Sequence, residues 1–289
     1  MAELGKVFRR FRINKNYSLQ EAAGDVVSVS QLSRFERGES DLSIQKFLAV
    51  LDNIYVNIEN FMDATRNYQR TEEIEFMSKI VPLYYANDVS AYQELQNQER
   101  QKIEKDEQPL RHQLNIILIQ GLICQRNSSY QMTAEDLDLV SDYLFQCEHW
   151  GMYEIILFAN LYSFYNVDYV FRIAKEILER DYFYKKISKH YRLIVILTLN
   201  CWLHCLEHKA FEEAEYFEKH FEKIAINQTK IFEKTIALYI RGFKLYQEGN
   251  IKEGLIKMRE AIHVFEVVDA PEQIAYYQEH FDKFVTIAE

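Results

Sequence analysis

Apolar residues in the first seventy positions recur at helical spacing, in short and well-punctuated runs. Leu4, Val7, Phe8 and Phe11 follow the 3, 4, 7 pattern of one helix face, and Arg9, Arg10, Arg12 and Lys15 fall mostly off it. Ser18, with Glu21 three residues later, predicts a capping box that opens a second helix using Leu19, Ala22 and Ala23. After the turn at Gly24-Asp25-Val26-Val27, Ser28 caps a third helix that Gly38 stops. Leu32 and Phe35 point inward there, leaving Ser30, Gln31, Ser33 and Arg34 wholly or partly outward. A fourth helix from Ser43 is expected to bury Ile44, Phe47, Leu48 and Leu51, and a fifth over 57–65 to use Ile58, Phe61 and Met62. Five short helices, with a tight turn between the second and third, predict a helix-turn-helix bundle over residues 1–66.

Beyond a linker at 67–70, the pattern changes to long helices with short breaks. Expected spans are 71–87, 88–105, 109–127, 133–148, 150–165, 167–181, 186–207, 210–225, 229–248, 251–267 and 272–287. Connections of two to four residues make neighbours antiparallel hairpins. Ala237, Gly242, Tyr246, Gly249-Asn250, Gly254 and Ala261 resemble one tetratricopeptide unit, in which small residues let two helices cross closely. Weaker echoes lie near Leu206 to Ala214 and Phe164 to Phe171. The expected fold is all-α, a five-helix bundle followed by a tetratricopeptide-like right-handed α-solenoid over 71–289, of about five paired units and a terminal helix.

Composition narrows the class. Only 8 glycines and 3 prolines in 289 residues exclude a turn-rich β-sandwich, and 20 Tyr with 19 Phe exclude a disordered chain. The first residues carry no long apolar stretch of a secretory signal, no run approaches the length of a membrane span, and four cysteines at 124, 147, 201 and 205 suit a reducing compartment. A cytoplasmic protein without a membrane partner is expected. The net charge of −10 is unevenly spread: residues 1–37 hold seven Lys or Arg against four Asp or Glu, and residues 71–289 hold 24 against 35. Any contact with a polyanion therefore falls at the N-terminus.

The third helix has the chemistry for a DNA major groove. Small outward residues permit close approach, and Arg34 can reach guanine O6 and N7. Ser18 and Ser28 cap helices whose N-termini can face phosphates, with Gln20 and Ser28 adding side-chain bonds and Arg9, Arg10 and Lys15 adding charge. The alternative is a plain helical bundle with a solvated basic face. In the second region Asn160 and Asn200 interrupt apolar helices forty residues apart, where an unpartnered amide is costly. An amide can hold an extended peptide backbone, with Phe158, Tyr162 and Tyr239 among the aromatics beside it. Satisfaction by a neighbouring helix or a buried water remains the competing explanation. Cys201, His204, Cys205 and His208 share a helix face, but four ligands on one helix seldom converge, so packing is expected and no metal. His112, His190 and the pairs Glu212-Glu213 and Glu72-Glu73 make no catalytic arrangement, and no phosphate loop or nucleophile elbow is present. Neither an enzyme nor a cofactor is expected.

The stretch Ser28-Val-Ser-Gln-Leu-Ser-Arg-Phe-Glu-Arg-Gly38 resembles the recognition helix of lambda-repressor-like (XRE-type) domains, though its turn lacks the usual glycine and Gly24 sits earlier. Together with Leu4-Gly-Lys-Val-Phe-Arg9, Phe47-Leu-Ala-Val-Leu-Asp-Asn-Ile54 and the repeat region, it resembles the Rgg branch of peptide-pheromone-responsive regulators. The resemblance implies a homodimer on double-stranded promoter DNA whose repeats bind a short hydrophobic signalling peptide. It further implies that Asn160, and with a weaker match Asn200, grips the peptide backbone. Some members link their DNA-binding domains through a cysteine in the fourth helix; here Gln45 stands in that helix and no cysteine precedes Cys124. The second reading is a regulator of the same architecture whose repeats dock a protein partner.

Overall fold

The computed structural model describes residues 2–65, 75–80, 83, 88–104, 109–148, 150–179, 188–224 and 230–285, in two compact units, 1–82 and 83–289. All regular structure among the described residues is helical, and none of these helices is long and apolar enough to cross a membrane. The expected linker at 67–70 and the start of the following helix lie outside the described residues, as do Pro82 and the side chain of His190.

The first unit comprises α1 (Ala2–Asn14), α2 (Leu19–Ala23), α3 (Val29–Glu36), α4 (Ile44–Asn53) and α5 (Ile58–Thr65), followed by a helical segment at 75–80. The caps stand where the sequence places them. Ser18 and Glu21 form the reciprocal capping box, and Ser28 and Ser43 accept from Gln31 N and Lys46 N. Phe8, Ala22, Leu32, Val50, Leu51, Ile54 and Phe61 make a closed core. Gly5 lets α1 lie directly on α3, since a Cβ there would stand 1.9 Å from the Phe35 carbonyl oxygen. Gly24 takes the left-handed conformation at φ +50°, beside Asn53, whose amide donates to the Ala22 carbonyl at 3.0 Å. The early glycine thus serves as the end of α2, and the turn proper needs none.

Three expectations change. Arg12 is not a surface cation: it is buried and makes a two-pronged bond to Glu36, at 2.6 and 2.8 Å, and a third to the Tyr17 carbonyl. Ile44 and Leu48 are 74% and 40% exposed, because the inward stripe of α4 runs through Val50, Leu51 and Ile54 with Phe47 beside it. In α5 Phe61 and Ala64 face inward, which turns Ile58 and Met62 outward.

The second unit contains α6 (Val89–Ile103), α7 (Leu110–Arg126), α8 (Ala134–Gln146), α9 (Met152–Leu161), α10 (Val167–Glu179), α11 (Ser188–Glu207), α12 (Phe211–Lys223), α13 (Ile231–Gln247), α14 (Ile251–Val267) and α15 (Pro271–Phe284). These follow the expected spans, except that α9 tightens into a 3-10 turn at Tyr162–Phe164. Helices adjacent in sequence pack as hairpins, α6 on α7, α11 on α12 and most extensively α13 on α14. Alternate helices also stack: α7 packs on α9, α9 on α11 and α11 on α13, giving one continuous row. Glycines let neighbouring helices approach closely. A Cβ on Gly254 would stand 2.7 Å from the Gly242 carbonyl oxygen, and one on Gly121 would stand 2.3 Å from Leu161 Cδ2.

A buried polar network holds α6 to α7. Glu99, 1% exposed, accepts from Lys102 Nζ and Asn115 Nδ2 and bonds to His112 Nδ1, each at 2.8 Å; Asn115 in turn accepts from Tyr153 OH. Burial pushes the Glu99 carboxyl up, but the bonds from Lys102, Asn115 and His112 outweigh it and hold it below the usual carboxylate range. His112 is therefore a structural histidine.

Two consequences are measurable. Gly254→Ala forces α13 from α14 against backbone atoms, and should cost about 1–3 kcal/mol in urea unfolding followed by far-UV circular dichroism; an unchanged midpoint would refute the backbone contact. Because folding lowers the Glu99 pKa, its stabilisation is complete above the unfolded value near 4.5 and fades as pH falls through the folded one. Glu99→Gln should lower the melting temperature at pH 7 and flatten its decline between neutral and acid pH. A variant that keeps the wild-type acid slope would show that this carboxylate is not a source of it.

Candidate functional site

Two surfaces concentrate the polar groups that packing leaves free. The first is built on α2 and α3. Leu32 and Phe35 seat α3 in the core, and Glu36 ties its last turn to Arg12, so the opposite face is held outward. That face carries Ser28, Ser30 and Arg34 exposed and Gln31 and Ser33 half-buried, with Gln20 exposed on α2. Ser33 Oγ accepts from Arg37 at 2.6 Å, and Arg37 also pairs with Glu39. Glu39 is held below its ordinary pKa, first by the Arg37 hydrogen bond and to a smaller degree by the charge of Arg34. The Arg34 side chain makes no hydrogen bond among the described residues.

The remaining cations of the expected site lie elsewhere in the first unit. Arg9 and Arg10 are exposed on α1, and no bond among the described residues ties either to α3. Lys15 Nζ donates to the Tyr55 carbonyl at 2.7 Å, where the chain leaves α4 through a left-handed residue. Lys15 is thus committed to closing the end of α4.

The second surface runs along the α7–α9–α11 row. Each of these helices presents a half-buried isoleucine followed four residues later by a half-buried amide: Ile116 and Gln120, Ile156 and Asn160, Ile196 and Asn200. The forty-residue period is readable in the sequence, but Gln120 was not singled out there, because glutamine is an ordinary helix former and only its half-buried place in the row distinguishes it. Gln120 bonds to Gln96 and to the Gln131 carbonyl, and Asn160 Nδ2 donates to the Ile156 carbonyl one turn back at 2.7 Å. Gln125 donates to the Asn160 backbone carbonyl at 2.8 Å, bracing α7 against α9. Asn200 has no side-chain hydrogen bond among the described residues.

The aromatic residues expected beside these amides divide. Phe158 and Tyr239 have no exposed surface. Phe158 packs against Trp150, and Tyr239 bonds to the Tyr277 carbonyl and to His280, so both support the surface from the core and do not line it. Tyr162 is half-buried at the end of α9, its ring edge-on to His204 with centroids 5.2 Å apart. Burial pushes its phenol well above the usual value, so it stays protonated.

Cys201 and Cys205 are fully buried, and burial pushes the Cys205 thiol up to about 12, so neither is a thiolate at neutral pH. The histidines of the same stretch behave differently. His204 and His208 gather with Glu207, their ligand atoms within 4.8 Å of one another, and the cysteines stay outside this group. Burial pushes Glu207 up, yet the facing imidazoles of His204 and His280 bring it down to about 2.

The family described as HTH-type transcriptional regulator Rgg, C-terminal domain, matches residues 91–279. The fold is similar to that of the SHP pheromone receptor Rgg2 of Streptococcus dysgalactiae, with 27% identity, 98% of this chain and 100% of that one covered, and a TM-score of 0.77. A protein of Listeria monocytogenes EGD-e shares the fold at 20% identity, with a TM-score of 0.78 over 98% of this chain and 97% of that one. PrgX, solved as its complex with cCF10, does so at 14% identity and a TM-score of 0.69, over 98% and 92%.

Proposed function

The chain belongs to the Rgg family of helix-turn-helix transcriptional regulators, which are not enzymes, and on that premise we propose that it binds promoter DNA in the cytoplasm as a homodimer and answers to a short hydrophobic peptide. The row of amides on α7, α9 and α11 carries the peptide half of this reading. Neighbouring helices lie about 8–10 Å apart, so three of them span roughly 16–20 Å. An extended peptide covers that with about 5–6 residues at ~3.3 Å each. Amides at that spacing can meet successive stretches of backbone whatever the side chains are, and the isoleucine one turn away from each offers the apolar contact. Asn160 and Asn200 are the proposed clamps, Gln120 extends them, and Tyr162 borders them. The Streptococcus dysgalactiae relative, itself described as a pheromone receptor, supports the same reading.

The DNA half rests on the outward face of α3. Arg34 is proposed to read a base edge, with Ser30, Gln31 and Ser33 in the groove beside it and Gln20 and Ser28 on phosphates. Arg9 and Arg10 add backbone contacts. Two-fold symmetry doubles an interface that one small unit leaves too small for a unique site.

Peptide control follows if the occupied and empty rows differ in free energy between two arrangements of the protein. Asn160 has an internal partner in the Ile156 carbonyl, which peptide binding would have to replace, whereas Asn200 is ready to bond.

Mobility-shift titration tests the DNA half. Arg34→Ala should lose about 1–3 kcal/mol of discrimination at one base pair, while Arg10→Ala should weaken all duplexes alike and lower the salt slope by about one. Full affinity and unchanged preference in Arg34→Ala would sink the base-reading role. For the peptide half, calorimetric titration should show Asn160→Ala and Asn200→Ala each binding the inducing peptide roughly ten-fold more weakly, the worth of one hydrogen bond from a buried group. Equal affinities in wild type and both variants would mean that the amides belong to the core.

A further inference from the structure

We propose that the second unit holds a divalent transition-metal ion, zinc by preference, at His204, Glu207 and His208 of α11, with His280 of α15 closing the site. Positions i, i+3 and i+4 share a helix face, and these three residues already bring one ligand atom each within 4.8 Å of the others. Two imidazoles and a carboxylate are a known zinc donor set, and the ion needs one donor more.

The fourth donor follows from which imidazole nitrogen is buried without a partner beside Glu207. The Tyr239 hydroxyl lies 3.1 Å from the Tyr277 carbonyl oxygen. The Tyr239 oxygen lies 2.8 Å from His280 Nδ1, so that nitrogen is engaged and Nε2 is the one that faces Glu207. His280 Nε2 is buried, without a hydrogen-bond partner, and 3.3 Å from Glu207 Oε1. A cation placed between this nitrogen and the carboxylate would bond to both. His204 faces the carboxylate's other oxygen. Its Nδ1 is 3.6 Å from Glu207 Oε2, and its Nε2 is buried without a partner. His208 Nδ1 bonds to the His204 carbonyl at 2.9 Å, an acceptor that requires Nδ1–H and frees Nε2 for a metal.

The distances suit an ion. Tetrahedral zinc, with bonds of about 2.0–2.1 Å, holds neighbouring ligand atoms about 3.3–3.4 Å apart. The Glu207 contacts of 3.3 and 3.6 Å already approach that spacing. His280 reaches the ion from the far oxygen of Glu207 and must move inward to complete the tetrahedron, so metal binding would pull α15 toward α11. Such an ion acts as a clip between two helices that are remote in sequence, and it lies one aromatic ring, Tyr162, from the end of the helix carrying Asn160.

The test uses the full chain, stripped with chelator, then titrated with zinc chloride in a calorimeter and with cobalt chloride in a spectrophotometer. One ion per chain is expected, with a rise in melting temperature and a cobalt spectrum free of thiolate charge-transfer bands. His208→Ala removes an exposed side chain, so it should fold normally and bind zinc at least roughly ten-fold more weakly. His280→Gln should do likewise, and Cys205→Ala should bind as the wild type does. Absence of saturable binding at about 100 μM of either ion, far above the range of a structural site, would overturn the proposal. Undiminished binding in His208→Ala, or a thiolate band lost in Cys205→Ala, would overturn the ligand assignment. Undiminished binding in a folded His280→Gln would overturn the clip to α15.

Discussion

Desolvation of α11 is the constraint on which the second unit turns. Helices α9, α10, α12 and α13 all pack against it, and its residues from Ile194 through Leu206 are buried almost without interruption. Any polar group on such a helix needs a partner from the protein or from a ligand. Thr198 returns its hydroxyl to the Ile194 carbonyl one turn back. His208 likewise returns its Nδ1 to the His204 carbonyl one turn back, whereas Asn200 has no side-chain hydrogen bond among the described residues. The amide points to the row's half-buried face, and the histidines gather beside α15.

The same accounting organises the first unit. Gly5 removes the side chain that would separate α1 from α3, and Arg12 and Glu36 join the two helices by a pair of short bonds within the core. Removing either partner strands a buried charge, so the pair behaves as one element. Its consequence is geometric. The last turn of α3 is pinned from behind, and the face bearing Ser30 and Arg34 is left outward. The cap at Ser28 sets the other end of the helix, so the orientation of this face is determined at both ends.

Close contacts tie the stack together both within a hairpin and between alternate helices. Gly242 against Gly254 and Gly121 against Leu161 are places where one helix presses on another with no spare room. The isoleucine and amide pairs at 116 and 120, 156 and 160, and 196 and 200 fall on successive members of the row. A change at one amide is therefore felt by neighbouring helices through packing as well as through any bound molecule.

The sequence by itself determined the helices, their order, their caps and the close crossing at Gly242 and Gly254, because periodicity, capping chemistry and small-residue spacing act within a few turns of chain. It also determined the outward set on α3, since Leu32 and Phe35 leave one face free. It could not determine that Arg12 is buried, that Lys15 closes α4, or that Ile44 and Leu48 stay exposed. Each depends on a partner 24 to 40 residues away, or on which of two overlapping stripes a neighbouring helix covers. Phe158 and Tyr239 were legible as aromatic but not as core, because period alone does not say which side of a helix is covered twice. Only the tertiary structure separated the histidines near 204 from the cysteines around them and set His280 against Glu207, by bringing together helices whose positions differ by more than seventy residues.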